Sequence, residues 1–144
     1  LPGLLEKMEI VFPIEFIVHG TPVSHQAKRS ESREQWKDQV RDSSRVALPD
    51  PHFASDQRIA VTLFYFPPEP MQGDIDNIVK LILDACCAHI YLDDSQVERV
   101  LVQKFEPDHL FSFGNPSATF VQAFEGAKPA LYVRISNDPH EELQ

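Results

Sequence analysis

Gln57-Arg58-Ile59-Ala60-Val61-Thr62-Leu63-Phe64-Tyr65-Phe66, followed by Pro67-Pro68, is the stretch on which the fold turns. Its β-branched and aromatic side chains suit a pleated, buried surface, and the prolines cannot extend a ladder, so it reads as a strand. Working upstream, Glu9 to Val18 reads as another strand, with Pro13 marking a sheet edge or a bulge. Gly20-Thr21-Pro22 ends it and opens a polar loop. Ser30 to Ala47 has no Gly or Pro, Ser30 or Ser32 is available as a cap, and Trp36, Val40 and Ala47 share a face. A helix is expected there, stopped by Pro49 and Pro51.

Downstream, Ile75, Ile78, Val79, Ile82, Ala85 and Cys86 recur at helical spacing and predict a helix from about Ile75 to His89. Val97 to Phe105 and Ala130 to Ile135 read as further strands. The Phe-rich connection Pro107 to Lys128 between them is expected to hold a short helix near Ala118–Phe124. The order β, α, β, α, β, (α), β indicates an α+β fold in a single domain over residues 1–144. Its sheet is mixed, of about four strands, with two main helices packed on it; residues 1–8 and 137–144 are expected to fray.

A chain of 144 residues can bury one real core. No apolar run approaches the roughly 20 residues that span a bilayer, so no membrane partner is expected. The opening residues lack a signal-peptide pattern, and Met8 reads as the natural start. Cys86 and Cys87 are adjacent, a spacing that bridges poorly, so reduced thiols and a cytoplasmic location are expected. A net charge of −9 argues against nucleic-acid binding, because phosphate contact wants a basic footprint. Residues 19–45 are the exception, with six basic and four acidic side chains.

Chemistry concentrates in Gly73-Asp74-Ile75-Asp76-Asn77-Ile78-Val79-Lys80, then Asp84, then Tyr91-Leu92-Asp93-Asp94-Ser95-Gln96-Val97. Hard cations such as Mg²⁺ take carboxylate oxygens and retain water. Asp74 and Asp76 flank a helix start, and Asp94 comes one helix length later, in the turn before the next strand. If that strand runs beside the one ending at Phe66, the three carboxylates can meet. Lys80, four residues after Asp76, would neutralise charge on a phosphodiester, and Asp84 would fix its ammonium. Ordinary helix capping by Asp74 and Asp76, and turn formation by Asp93 and Asp94, is the competing reading.

The compound pattern Asp74-x-Asp76-Asn77-x-x-Lys80, Asp84-Ala85, Leu92-Asp93-Asp94-x-Gln96-Val97 and on to Lys104 resembles the core signature of RusA-type Holliday junction resolvases. The resemblance covers roughly Ile14 to Phe105 and the closing strand. It implies a homodimeric, Mg²⁺-dependent endonuclease (Mn²⁺ as substitute) that cuts four-way DNA junctions in recombination and repair. It also implies Asp74, Asp76 and Asp94 as metal ligands, Lys80 as the essential basic residue, and Asp93 as an accompanying carboxylate. Two features depart from the family pattern: the members are usually basic, and residues 106–128 form a longer connection than compact members carry.

Arg29, Arg33, Lys37, Arg41 and Arg45 recur every four residues, a slanting stripe that drifts about 40° per step. With Lys28 it is the expected DNA surface, weighed against a solvated helix whose Glu34, Asp38 and Asp42 pair with it. His19, His25 and Lys28 fall where the family has a DNA-facing loop. Two other functions fit parts of the pattern: an Asp-x-Asp, Mn²⁺-dependent nucleotide-sugar transferase, and a resolvase-like protein that binds junctions or a protein partner without cutting.

Overall fold

The computed structural model describes residues 6–141. Its sheet has four strands, β1 (Ile14–Val18), β2 (Ile59–Phe66), β3 (Val97–Lys104) and β4 (Ala130–Ser136), in the order β1-β4-β2-β3. β4 is antiparallel to both β1 and β2, whereas β3 runs parallel to β2. The sheet is therefore mixed. β2 is buried along nearly its whole length, as a central strand with both faces covered must be. β3 lies at the edge and is half exposed.

Three helices complete the α+β fold: α1 (Ser30–Ser44), α2 (Val79–Cys86) and α3 (Ala118–Glu125). α1 and α2 cover one sheet face. There Trp36, Val40, Ile78, Leu81 and Ile82 pack on Ile14, Phe16, Val61, Leu63 and Val133. α3 covers part of the other face, where Phe66, Phe105, Phe120, Ala123, Ala130 and Tyr132 form a second core. No helix among the described residues is long and apolar enough to cross a membrane.

Several boundaries differ from the sequence-based expectation, each for a local reason. The first strand begins at Ile14 rather than Glu9; residues before Pro13 leave the ladder, and Met8 makes only a bridge to His52. Neither Ser30 nor Ser32 caps α1, whose N-cap is Arg29 with no side-chain bond. Arg45–Ala47 tightens to a 3₁₀ turn. The second helix opens as a 3₁₀ turn, Ile75–Ile78, and ends at Cys86 rather than His89. It ends there because Cys87 is extended and Ala88 takes a left-handed φ of 61°, so that Ala88 N–H bonds Tyr91 O at 2.6 Å. Residues 137–141, expected to fray, are held: Arg99 donates to the carbonyls of Pro139 and Glu141 at 2.8 and 2.9 Å. Of the other residues expected to fray, Met8 is held by a bridge to His52, and residues 1–5 and 142–144 lie outside the described residues.

Candidate active site

The two acidic segments flank α2 because α2 is the crossover between the parallel strands β2 and β3. After β2 the chain turns at Gly73, whose φ of +80° is a conformation that side chains other than glycine rarely take. Asp74 follows as the N-cap of the 3₁₀ turn, and Asn77 N–H closes on its carbonyl at 3.2 Å. Ile78 is buried and Ile75 half-buried in the main core, which anchors the turn and leaves Asp74 and Asp76 exposed beside them. The Asp74 carboxylate makes no cap bond. His25, from the loop after β1, docks on this turn: its backbone N–H donates to Asn77 O at 3.2 Å, and its Nδ1 lies 3.3 Å from the same oxygen.

One turn into α2, Lys80 Nζ donates to Asp84 Oδ1 at 2.8 Å and stands 3.7 Å from Asp94 Oδ2. These contacts favour the ammonium form, with the Asp84 hydrogen bond the largest cause, so the lysine pKa is raised and the group stays charged through neutral pH. Asp84 thus holds the lysine's ammonium by a hydrogen bond one helical turn away.

The Tyr91–Gln96 turn is tied down from several sides. Gln96 Oε1 accepts from the N–H groups of Leu92 and Asp93, both at 2.9 Å. Its Nε2 donates to Ser55 O at 2.8 Å and Gln57 O at 2.7 Å. One amide therefore uses both its acceptor and both its donor hydrogens. Tyr91, fully buried, donates its hydroxyl to Leu83 O at 2.8 Å and approaches Asp94 Oδ1 at 3.4 Å. Burial pushes the Tyr91 phenol well up, so it remains a donor. Asp93 acts as a cap, its Oδ2 accepting from Ser95 N–H at 3.1 Å, and hydrogen bonding from Ser95, side chain first and then backbone, holds its carboxyl below the usual range.

Asp94 is half-buried against the flank of α2 made by Lys80, Leu83 and Asp84. Asp76 precedes Leu83 by seven residues, on the order of 10 Å along a helix axis. Among the described residues no three His, Cys, Asp or Glu side chains stand close enough together to hold a metal ion. The donor chemistry of Asp74, Asp76 and Asp94 nevertheless suits a hard divalent cation, being carboxylate oxygen alone. What stands beside Asp94 instead is the ammonium of Lys80.

Tyr91, Gln96 and His25 are the residues that sequence reasoning did not assign to the site. Gln96 had a signal: Asp93-x-x-Gln96 is a capping-box spacing. His25 carried only its place in the loop after the first strand, not its contact with Asn77, 52 residues on, and Tyr91 carried none.

The basic stripe is largely spoken for. Lys37 pairs with Glu34 at 2.8 Å, Arg41 with Asp38 at 3.1 Å and Arg45 with Asp42 at 3.3 Å. Arg33 donates to Ala27 O, and Arg41 Nε donates to Ala85 O at 3.0 Å, fastening α1 to α2. Lys28 and Arg29 are exposed in the loop leading into α1. Trp36 is core.

A family model described as endodeoxyribonuclease RusA matches residues 18–112, about two thirds of the chain. The chain belongs to the RusA endodeoxyribonuclease family. The matched stretch takes in both acidic segments, Lys80 and the basic stripe, and the RusA assignment favours a nuclease over nucleotide-sugar transfer. It stops at Ser112, so α3 and β4 lie beyond the RusA match. No curated protein matches the chain.

Proposed function

We propose that this RusA-family protein is a divalent-metal-dependent endonuclease of branched DNA, a Holliday junction resolvase working as a homodimer in recombination and repair. Asp74, Asp76 and Asp94 are its metal ligands, for Mg²⁺ with Mn²⁺ as substitute. The observation that carries the reading is Lys80, an exposed ammonium held by Asp84 and shared with Asp94 inside the matched stretch. A cation set among carboxylates beside a helix start suits the negative charge that builds on a phosphodiester under attack.

When bound, the metal lowers the pKa of the attacking water and offsets phosphate charge. The residues divide the remaining work. Asp74 and Asp76 present free oxygens at the mouth of α2, while Tyr91 and Gln96 hold the turn that aims Asp94. Water attacks phosphorus and gives up a proton to solvent, the bond to the leaving oxygen breaks, and Lys80 steadies the charge on that oxygen until it takes a proton from solvent. Asp94, now 3.7 Å from Lys80 Nζ, would hold the metal in place of that contact. Lys28 and Arg29, exposed beside the His25 loop, supply phosphate contacts, as do Arg33 and Lys37 once their partners give way to DNA.

The test is cleavage of a labelled four-way junction and a linear duplex, with Mg²⁺ or EDTA, by wild type and Asp76→Asn. Junction-selective nicking that needs Mg²⁺ and falls at least about 100-fold in the variant is expected, in line with losing a charge-stabilising group. Full activity of Asp76→Asn refutes the site assignment. A second reading, binding without cutting, is favoured by Lys80 standing at Asp94 and by the absence, among the described residues, of three acidic side chains close enough together to hold a metal. Junction binding that persists in EDTA, without nicking at any Mg²⁺ level, would establish it.

A further inference from the structure

The sheet face opposite α1 and α2 is only partly covered by α3, and the remainder floors a cavity of about 820 Å³. The size is that of a site for a small organic ligand. Thr62, Phe64, Leu101, Gln103, Tyr132 and Arg134 form the floor, and Phe111 and Phe113 of the connection form an aromatic wall, with Asn115 beside them. Phe113, Asn115 and the α3 side follow Ser112, outside the stretch shared with the family.

The two ends of the cavity differ. At one end Glu15 is already satisfied, accepting from Tyr132 O–H at 2.5 Å and from Ser117 Oγ–H. At the other, the tail residue Glu141 lays its carboxylate on Arg134, whose Nη2 donates to Oε2 at 3.2 Å and whose Nη1 donates to Oε1. Arg99 stands behind the same carboxylate, but its Nη2 is 3.6 Å from Oε1, too far for a hydrogen bond, and that buried nitrogen has no partner. Two arginines thus converge on one carboxylate that leaves a donor unmet. A phosphate monoester, with three terminal oxygens and up to two charges, matches this donor set better than a carboxylate does.

We propose that the cavity binds a nucleoside monophosphate, with its phosphate on Arg134 and Arg99 in place of the Glu141 carboxylate. The base lies against Phe64, Phe111 and Phe113, where ring stacking is available, and Gln103 and Asn115 reach its polar edge. Glu141 is then a built-in competitor that the ligand displaces. The ligand comes either from free nucleotide or from the 5′-phosphorylated end of a DNA strand.

The experiment is a methyl NMR titration of the full chain in metal-free buffer with dAMP, and separately with a tetranucleotide bearing or lacking a 5′-phosphate. Saturable shifts are expected at Leu101 and Thr62, with Ile75 and Ile82 on the other side of the sheet unmoved. Glu141→Gln, which removes the competing charge, is expected to tighten dAMP about threefold or more. Arg134→Gln is expected to weaken it about tenfold, the value of one charge-assisted hydrogen-bond pair. The same Arg134 dependence for the 5′-phosphorylated tetranucleotide, and not for its 5′-hydroxyl form, assigns the source to strand ends; dependence for dAMP alone assigns it to free nucleotide. Either supports the cavity. No shift at Leu101 or Thr62 at millimolar dAMP, in wild type and in Glu141→Gln alike, overturns it. So does binding that Arg134→Gln leaves unchanged while Asp76→Asn abolishes it.

Discussion

The two turns that carry the acidic residues are built in opposite ways. Around Asp94, one glutamine amide makes four hydrogen bonds, Asp93 caps, and a buried tyrosine hydroxyl reaches the carboxylate. Around Asp74 and Asp76 only the backbone is secured, by Ile75 and Ile78 below and by the His25 loop beside it, and the Asp74 carboxylate has no cap bond. The first turn is preorganised; the second has side chains free to reorient. The metal site proposed above would use this division, with a fixed reference on one side and adjustable carboxylates on the other.

Breaking the fixed turn should therefore cost stability as well as activity. The largest loss is expected for Gln96→Ala, which leaves two N–H groups and two carbonyls to find water; about 1–3 kcal/mol in urea denaturation is anticipated. A loss below a few tenths would mean the turn holds itself.

Next comes pH. His89 sits just before this turn, its Nε2 2.8 Å from Ser44 Oγ, and that hydroxyl donates to Arg41 O, so the ring must donate. Burial, then the nearby His52, Arg45 and Arg41, lower the His89 pKa to about 4. Below about 6.5 the unfolded chain takes up a proton that the folded chain refuses, so stability falls as pH drops from about 6.5 to about 4 and levels off beneath. The contribution is on the order of 1–2 kcal/mol after allowance for the ring's partial exposure. His89→Gln, which can still donate to Ser44, should flatten that part of the profile; an unchanged slope would show that other groups set it.

Tyr91→Phe removes one hydroxyl and is expected to cost about 1 kcal/mol in stability, together with a loss of cleavage from a less well-aimed Asp94. Smallest of all is Asp74→Ala, predicted to change stability by no more than about 0.5 kcal/mol while abolishing cleavage, since its carboxylate holds nothing in the fold. A large stability loss there would erase the contrast between the turns.

Much of this molecule was legible from local chemistry. The β-branched and aromatic content of residues 57–66 marked a strand, and the spacing of Ile75, Ile78, Ile82 and Cys86 marked a buried helix face. The compound acidic pattern pointed to the family. The misplaced boundaries came from features with weak local signals: Ala88 adopts a left-handed conformation that glycine would have advertised, and no serine serves as the α1 cap.

The sequence by itself determined which segments are strands and helices and which carboxylates lie at their ends, because φ/ψ preference and hydrophobic period are properties of neighbouring residues. Only the tertiary structure decided that β4 inserts between β1 and β2, that Arg41 fastens α1 to α2, that Lys80 stands at Asp94, and that Glu141 lies across Arg134 beside Arg99. Each of those depends on groups in different elements of the chain, or on which face of a sheet a tail returns to. Such choices are made by the packing of the whole chain, and no local window of residues contains them.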